Sequence, residues 1–147
     1  MLLRRPRVAA AAPTTPRVVS SPDARARMLR VAAEAVVLQD RAVEVIDRIR
    51  RHAPLGDTAP EAGPLSRRFF SLGDELAGTV QDPRDEELRT ALVAVLHHHA
   101  TLLSLALELS AYEWRSPRLW DQVEALDGLG RPGQRLEHLY TELAATG

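Results

Sequence analysis

The sequence predicts an all-α fold, an elongated bundle of about five helices, two long and three short, around a buried central helix. Three observations predict it. Between Leu92 and Leu107 no residue is charged at neutral pH, within a run that extends from Pro83 to about Arg115. Met28, Val31, Ala35, Leu38, Ala42, Val45 and Ile49 recur at alternating steps of three and four, the seam of a long amphipathic helix. No segment alternates apolar and polar residues as a half-buried strand would.

Residues 1–20 mix proline, alanine, threonine and arginine without periodicity, so a disordered basic tail is expected before a single helical domain over residues 21–147. Arg4, Arg5, Arg7 and Arg17 would let that tail touch an anionic surface. Its longest apolar stretch, Val8 to Ala12, is too short for the core of a signal peptide, and the expected location is cytoplasmic.

Ser21-Pro22-Asp23 starts the first long helix: a capping hydroxyl, a preset φ and an acid at the positive helix end. It is expected to stop near His52, where Ala53-Pro54 and then Ala59-Pro60 and Gly63-Pro64 open an eleven-residue connection. A short helix from Pro64 to Val80 would then place Leu65, Phe69, Leu72, Leu76 and Val80 on one face, weakened by Gly73 and Gly78. Asp82-Pro83 and Ser116-Pro117 repeat the cap–proline start. A short piece around Leu119, Trp120, Val123 and Leu126 ends at Gly128-Leu129-Gly130, and a final helix after Pro132 presents Leu136, Leu139, Tyr140 and Leu143.

The central run is oily on two rows. One is Ala91, Val95, His98, Leu102, Leu105, Leu109 and Tyr112; the other is Leu92, Leu96, His99, Leu103 and Ala106. A helix apolar on most of its circumference needs cover on most of it, from its own chain or a twin, and homodimerisation is expected on that ground. Three histidines, Thr101, Ser104 and Glu108 interrupt the run, against a membrane span. A third row, Ala94, His97, Thr101, Ser104 and Glu108, is small and polar: it suits close helix contact or a ligand or partner slot.

Composition removes several chemistries. Without cysteine there is no disulfide, thiolate metal site or cysteine nucleophile. Successive helical residues point about 100° apart, so His97-His98-His99 cannot chelate one ion, and no metal or cofactor is expected. His98 and His99 are instead expected as core histidines bonded across helices. Every one of the nineteen basic residues is arginine, as GC-rich codons produce; with four in the tail, fifteen face twenty acids in the body, −5, which argues against nucleic acid on the folded part.

Leu119 to Leu143, with Ala125, Leu129-Gly130-Arg131, Leu136 and Tyr140, resembles one helix hairpin of tetratricopeptide-type repeats. It spans about a sixth of the chain and no second copy recurs near a 34-residue period. The function expected is therefore that of a non-enzymatic interaction or adaptor protein that binds another protein through a long helix face. The alternative is a small-molecule sensor or carrier with its ligand along the third row. Acid–base catalysis by His97 and Glu108 ranks last, because eleven helical residues separate them by about 16 Å.

Overall fold

The computed structural model describes residues 21–78 and 82–145. The expected basic tail and Val80 lie outside these residues. Helix α1 spans Ser21–Arg50, α2 Leu55–Glu75, α3 Pro83–Tyr112, α4 Pro117–Glu124 and α5 Gly130–Ala145, with a 3-10 turn at Glu113–Arg115 between α3 and α4. Among the described residues there is no strand. The all-α bundle is thus the fold.

Helices α1 and α3 form its central pair. Helix α2 packs on both from one side and α5 on both from the other, so that α2 and α5 never meet, while α4 closes the end where α3 finishes. Six of the seven seam residues of α1 are buried, Met28, Val31, Ala35, Ala42, Val45 and Ile49 at most 1% exposed, while Leu38 is half-buried and its neighbour Gln39 turns inward. Polar links run around this interior. Arg68 of α2 grips the Glu34 carboxylate of α1 through two nitrogens at 2.6 and 2.7 Å. That hydrogen bond is the main reason the Glu34 carboxyl is held below its ordinary range, a shift that burial opposes. Arg25 of α1 reaches the buried Asp85 of α3 at 2.7 Å.

Helix starts follow the cap–proline pattern. Asp82 Oδ1 accepts the Arg84 amide at 2.9 Å ahead of α3, and Ser116 Oγ accepts the Leu119 amide at 3.2 Å ahead of α4, each with proline in the first turn. Around α2 the structure differs from expectation. The expected connection from Ala53 to Gly63 is mostly helix, because α2 begins at Leu55 and carries Pro60 and Pro64 inside it. Each proline deprives the carbonyl four residues back of its donor, yet Gly56, Pro60 and Pro64 are all exposed, so those carbonyls are open to solvent. The inward face holds Thr58, Ala62, Leu65, Phe69 and Leu72, and the burial of its apolar members outweighs the loss. Helix α5 likewise begins at Gly130, before Pro132. Helices α4 and α5 make no packing contact with each other, so the hairpin resemblance does not extend to the packing.

Gly73 has a role beyond its weak helix propensity. A Cβ there would sit 2.7 Å from His97 Nε2, so the missing side chain is the seat of the His97 ring, which stacks on Phe70 with centroids 4.8 Å apart. Gly73→Ala gains about 1 kcal/mol of helix propensity and is expected nonetheless to lower the urea midpoint by displacing that ring. In a His97→Ala background the same change should be neutral or stabilising. Stabilisation in the native background would refute the seat.

Candidate interaction face

Four of the five expected slot residues share one open strip. Ala94, Thr101, Ser104 and Glu108 are exposed, and His97 is half-buried over Gly73 with its Nε2 lacking a hydrogen-bond partner. They line an open face of α3 rather than a slot. Ser104 also serves in helix contact, since Ser66 of α2 donates to the Ala100 carbonyl at 2.8 Å and shares a hydrogen bond with Ser104 Oγ at 2.7 Å.

The two oily rows fare differently. Leu92, Leu96, His99, Leu103 and Ala106 are all buried against neighbouring helices. In the other row Val95 is buried, His98, Leu105 and Tyr112 are exposed, and Ala91, Leu102 and Leu109 are only partly covered. The reason is geometric: α2 and α5 flank the α1/α3 pair from opposite sides, and nothing in the described chain lies over the flank between them. Of the two expected core histidines, only His99 is one. His98, turned about 100° further round the helix, faces solvent.

From Thr90 to Leu107, about five turns, this exposed flank therefore carries no aspartate, glutamate or arginine. Its far end is aromatic. Tyr112 is 44% exposed and Trp114 75%, and the Arg115 guanidinium lies 4.6 Å from the Tyr112 ring centroid and 5.3 Å from that of Trp114. Between α3 and α4 a groove of about 380 Å³ is lined by Leu105, Glu108, Leu109, Tyr112, Arg115 and Leu119.

Sequence reasoning passed over the cluster behind that end. His52 closes α1 in the left-handed region at φ 59°, where its amide donates to the Ile49 carbonyl at 2.9 Å and the Ala53 amide to Arg48 at 3.0 Å. That is the Schellman ending, with histidine in the position glycine usually takes. The imidazole is held on both edges, by Glu113 at 2.7 Å on Nδ1 and Glu124 at 3.0 Å on Nε2, and stacks on Trp120 with centroids 3.4 Å apart. Burial works against the charged ring, but the two carboxylates outweigh it and the His52 pKa is raised. The hydrogen bond from His52 in turn lowers Glu124. The two acids stand on opposite edges of the ring, so the three side chains cannot converge on one ion, and among the described residues no His, Asp and Glu group is arranged for a metal.

His99 is the opposite case. Its Nε2 lies 2.8 Å from Gln39 Oε1 and its Nδ1 2.9 Å from the Val95 carbonyl. Gln39 turns its amide nitrogen to the Gly133 carbonyl and the Glu137 carboxylate, which fixes its oxygen toward His99. A neutral imidazole has one N–H for these two oxygens. Burial nevertheless pushes the pKa down to about 4, with the Val95 carbonyl opposing and His98 adding slightly.

Compared with known proteins, the chain matches no family model, no curated protein and no solved structure.

The two histidines give opposite pH dependences. A raised folded pKa at His52 contributes stability that is complete below about pH 6.5 and disappears as pH climbs through the folded value. A folded pKa of about 4 at His99 costs stability as pH drops below 6.5, where the unfolded chain takes up the proton first. Relative to the native chain, His52→Gln should therefore be destabilised most at pH 5.5, with the deficit shrinking as pH rises toward 8. Relative to the native chain, His99→Gln should instead fare progressively better as pH falls from 7 to 5. Parallel pH profiles for the two variants in urea titrations would contradict the assignment.

Proposed function

We propose that this chain is a non-enzymatic interaction module, an adaptor that receives another protein along the open face of α3. The observation that carries it is the exposed, uncharged flank from Thr90 to Leu107 ending in Tyr112, Trp114 and Arg115. A solvated helix face ordinarily carries charges, whereas the centre of an interface is depleted of them and enriched in tyrosine, tryptophan and arginine. In this proposal the partner's side chains cover the half-exposed Leu102, Leu105 and Leu109. No cofactor is needed, and the acidic body disfavours nucleic acid as the partner.

Pro83–Arg115 is long enough to cross a membrane, and its most apolar 18-residue window has a mean hydropathy of 1.5, with 39% of that window buried within the bundle. The protein-binding proposal is preferred because one whole row of this helix already packs on its neighbours, and because Asp85, buried on it, is paired with Arg25 of α1. A helix so engaged is a core helix with one open side. The proposed location is the cytoplasm.

One observation favours a second function, a small-molecule sensor or carrier. The groove of about 380 Å³ beside Leu105 combines an apolar wall with one acid, Glu108, and one guanidinium, Arg115. Native mass spectrometry of the purified chain separates the two functions, since a carrier retains a ligand mass.

A photo-crosslinking residue placed at Ala94, Thr101 or Leu105 is expected to capture protein in cells, whereas the same residue at the exposed Asp40 of α1 captures little. Leu105→Glu should abolish capture from Thr101 while shifting stability by about 0.5 kcal/mol or less, as surface substitutions do. Equal capture at Asp40 and Leu105 would remove the proposal.

A further inference from the structure

We infer that the occupant of the α3 face is a second copy of this chain, laid antiparallel about a two-fold axis at Thr101. This rests on α3 being an interface and adds the identity of what covers it. The argument is one of charge and spacing. On the exposed strip the charged residues bounding the neutral flank are Glu87, which lines a groove with Arg84 and Arg135, on one side and Glu108 and Arg115 on the other. Among the described residues, none of the three makes an ion pair within the chain.

Glu87 and Arg115 lie fourteen residues to either side of Thr101. An antiparallel copy centred there sets Glu87 of each protomer against Arg115 of the other, so that two equivalent ion pairs close the two ends of one contact. The same operation lays the small Ala94 opposite Glu108, which leaves that carboxylate room within a turn of the other copy's His97 and His98. Glu87 lies in the second turn of α3 and Arg115 in the 3-10 turn just past its end, so the two pairs bracket nearly the whole helix. A parallel copy would stack Glu87 on Glu87 and Glu108 on Glu108, like on like, which costs rather than gains. The strip is thus complementary to itself in one orientation only.

The chain has no cysteine, so introduced thiols report on this geometry without background. A disulfide needs Cα atoms about 4.4–6.8 Å apart, which the axis provides at position 101. Thr101→Cys alone is expected to form a disulfide-linked dimer under mild oxidation. Ala94→Cys and Glu108→Cys should cross-link when mixed and not when alone, and Asp40→Cys should remain monomeric. In sedimentation velocity the full chain should reach twice its monomer mass between 1 and 200 µM. Glu87→Arg or Arg115→Glu should weaken association at least tenfold, and the two together should restore it; circular dichroism establishes that each variant folds. A chain monomeric at 200 µM, or a dimer indifferent to the charge swap and cross-linking no faster at 101 than at 40, overturns the inference. A monomer that still captures another protein through Leu105 overturns self-pairing and leaves the interface standing. A dimer insensitive to every α3 substitution, together with no capture there, removes both.

Discussion

One buried polar contact, between Gln39 and His99, decides which side of α3 the other helices cover. Gln39 is buried on the inward side of α1, beside its apolar seam, and reaches both His99 on α3 and the first turn of α5 through Gly133. A buried amide and imidazole left without each other would each carry a desolvation cost of about 1–3 kcal/mol. Rotating α3 by one residue would break that pairing, so its register against α1 and α5 is fixed by more than oil. With His99 turned inward, Leu92, Leu96, Leu103 and Ala106 follow it into the core, and Leu105, Glu108 and Tyr112 are carried outward. The open face is the complement of that pairing.

Periodicity made most of the fold legible. The three-and-four spacing of α1 and the capped starts of α3 and α4 are local physics, and the chain folds as they require. The beginning of α2 was not legible, because Pro60 and Pro64 are helix breakers by local rules and only the burial of Thr58 and Ala62 against the rest of the molecule overrides them. A single sequence carries no sign of that compensation.

The candidate face was legible in its residues and not in its setting. Ala94, Thr101, Ser104 and Glu108 stand out by spacing alone, but whether such a row lies inside or outside depends on where α2 and α5 are placed, which is tertiary information. The aromatic end left a trace: both tryptophans fall within seven residues, Trp114 to Trp120, in a chain with only two. The His52 clamp left almost none. Its partners Glu113 and Glu124 are sixty or more residues away, and the histidine at a glycine-type helix ending makes sense only once both carboxylates and the Trp120 ring are seen around it.

The prolines of α2 bear on the order in which the molecule comes apart. A helix normally holds itself along its own ladder, but near its start α2 has given up two rungs, and its grip there depends on what Thr58 and Ala62 touch. Thinning of the core will therefore release residues 55–64 before it frees the stretch around Phe69, which keeps both its ladder and its packing. The amides of that first half will trade hydrogen for deuterium through a local opening, well ahead of global unfolding.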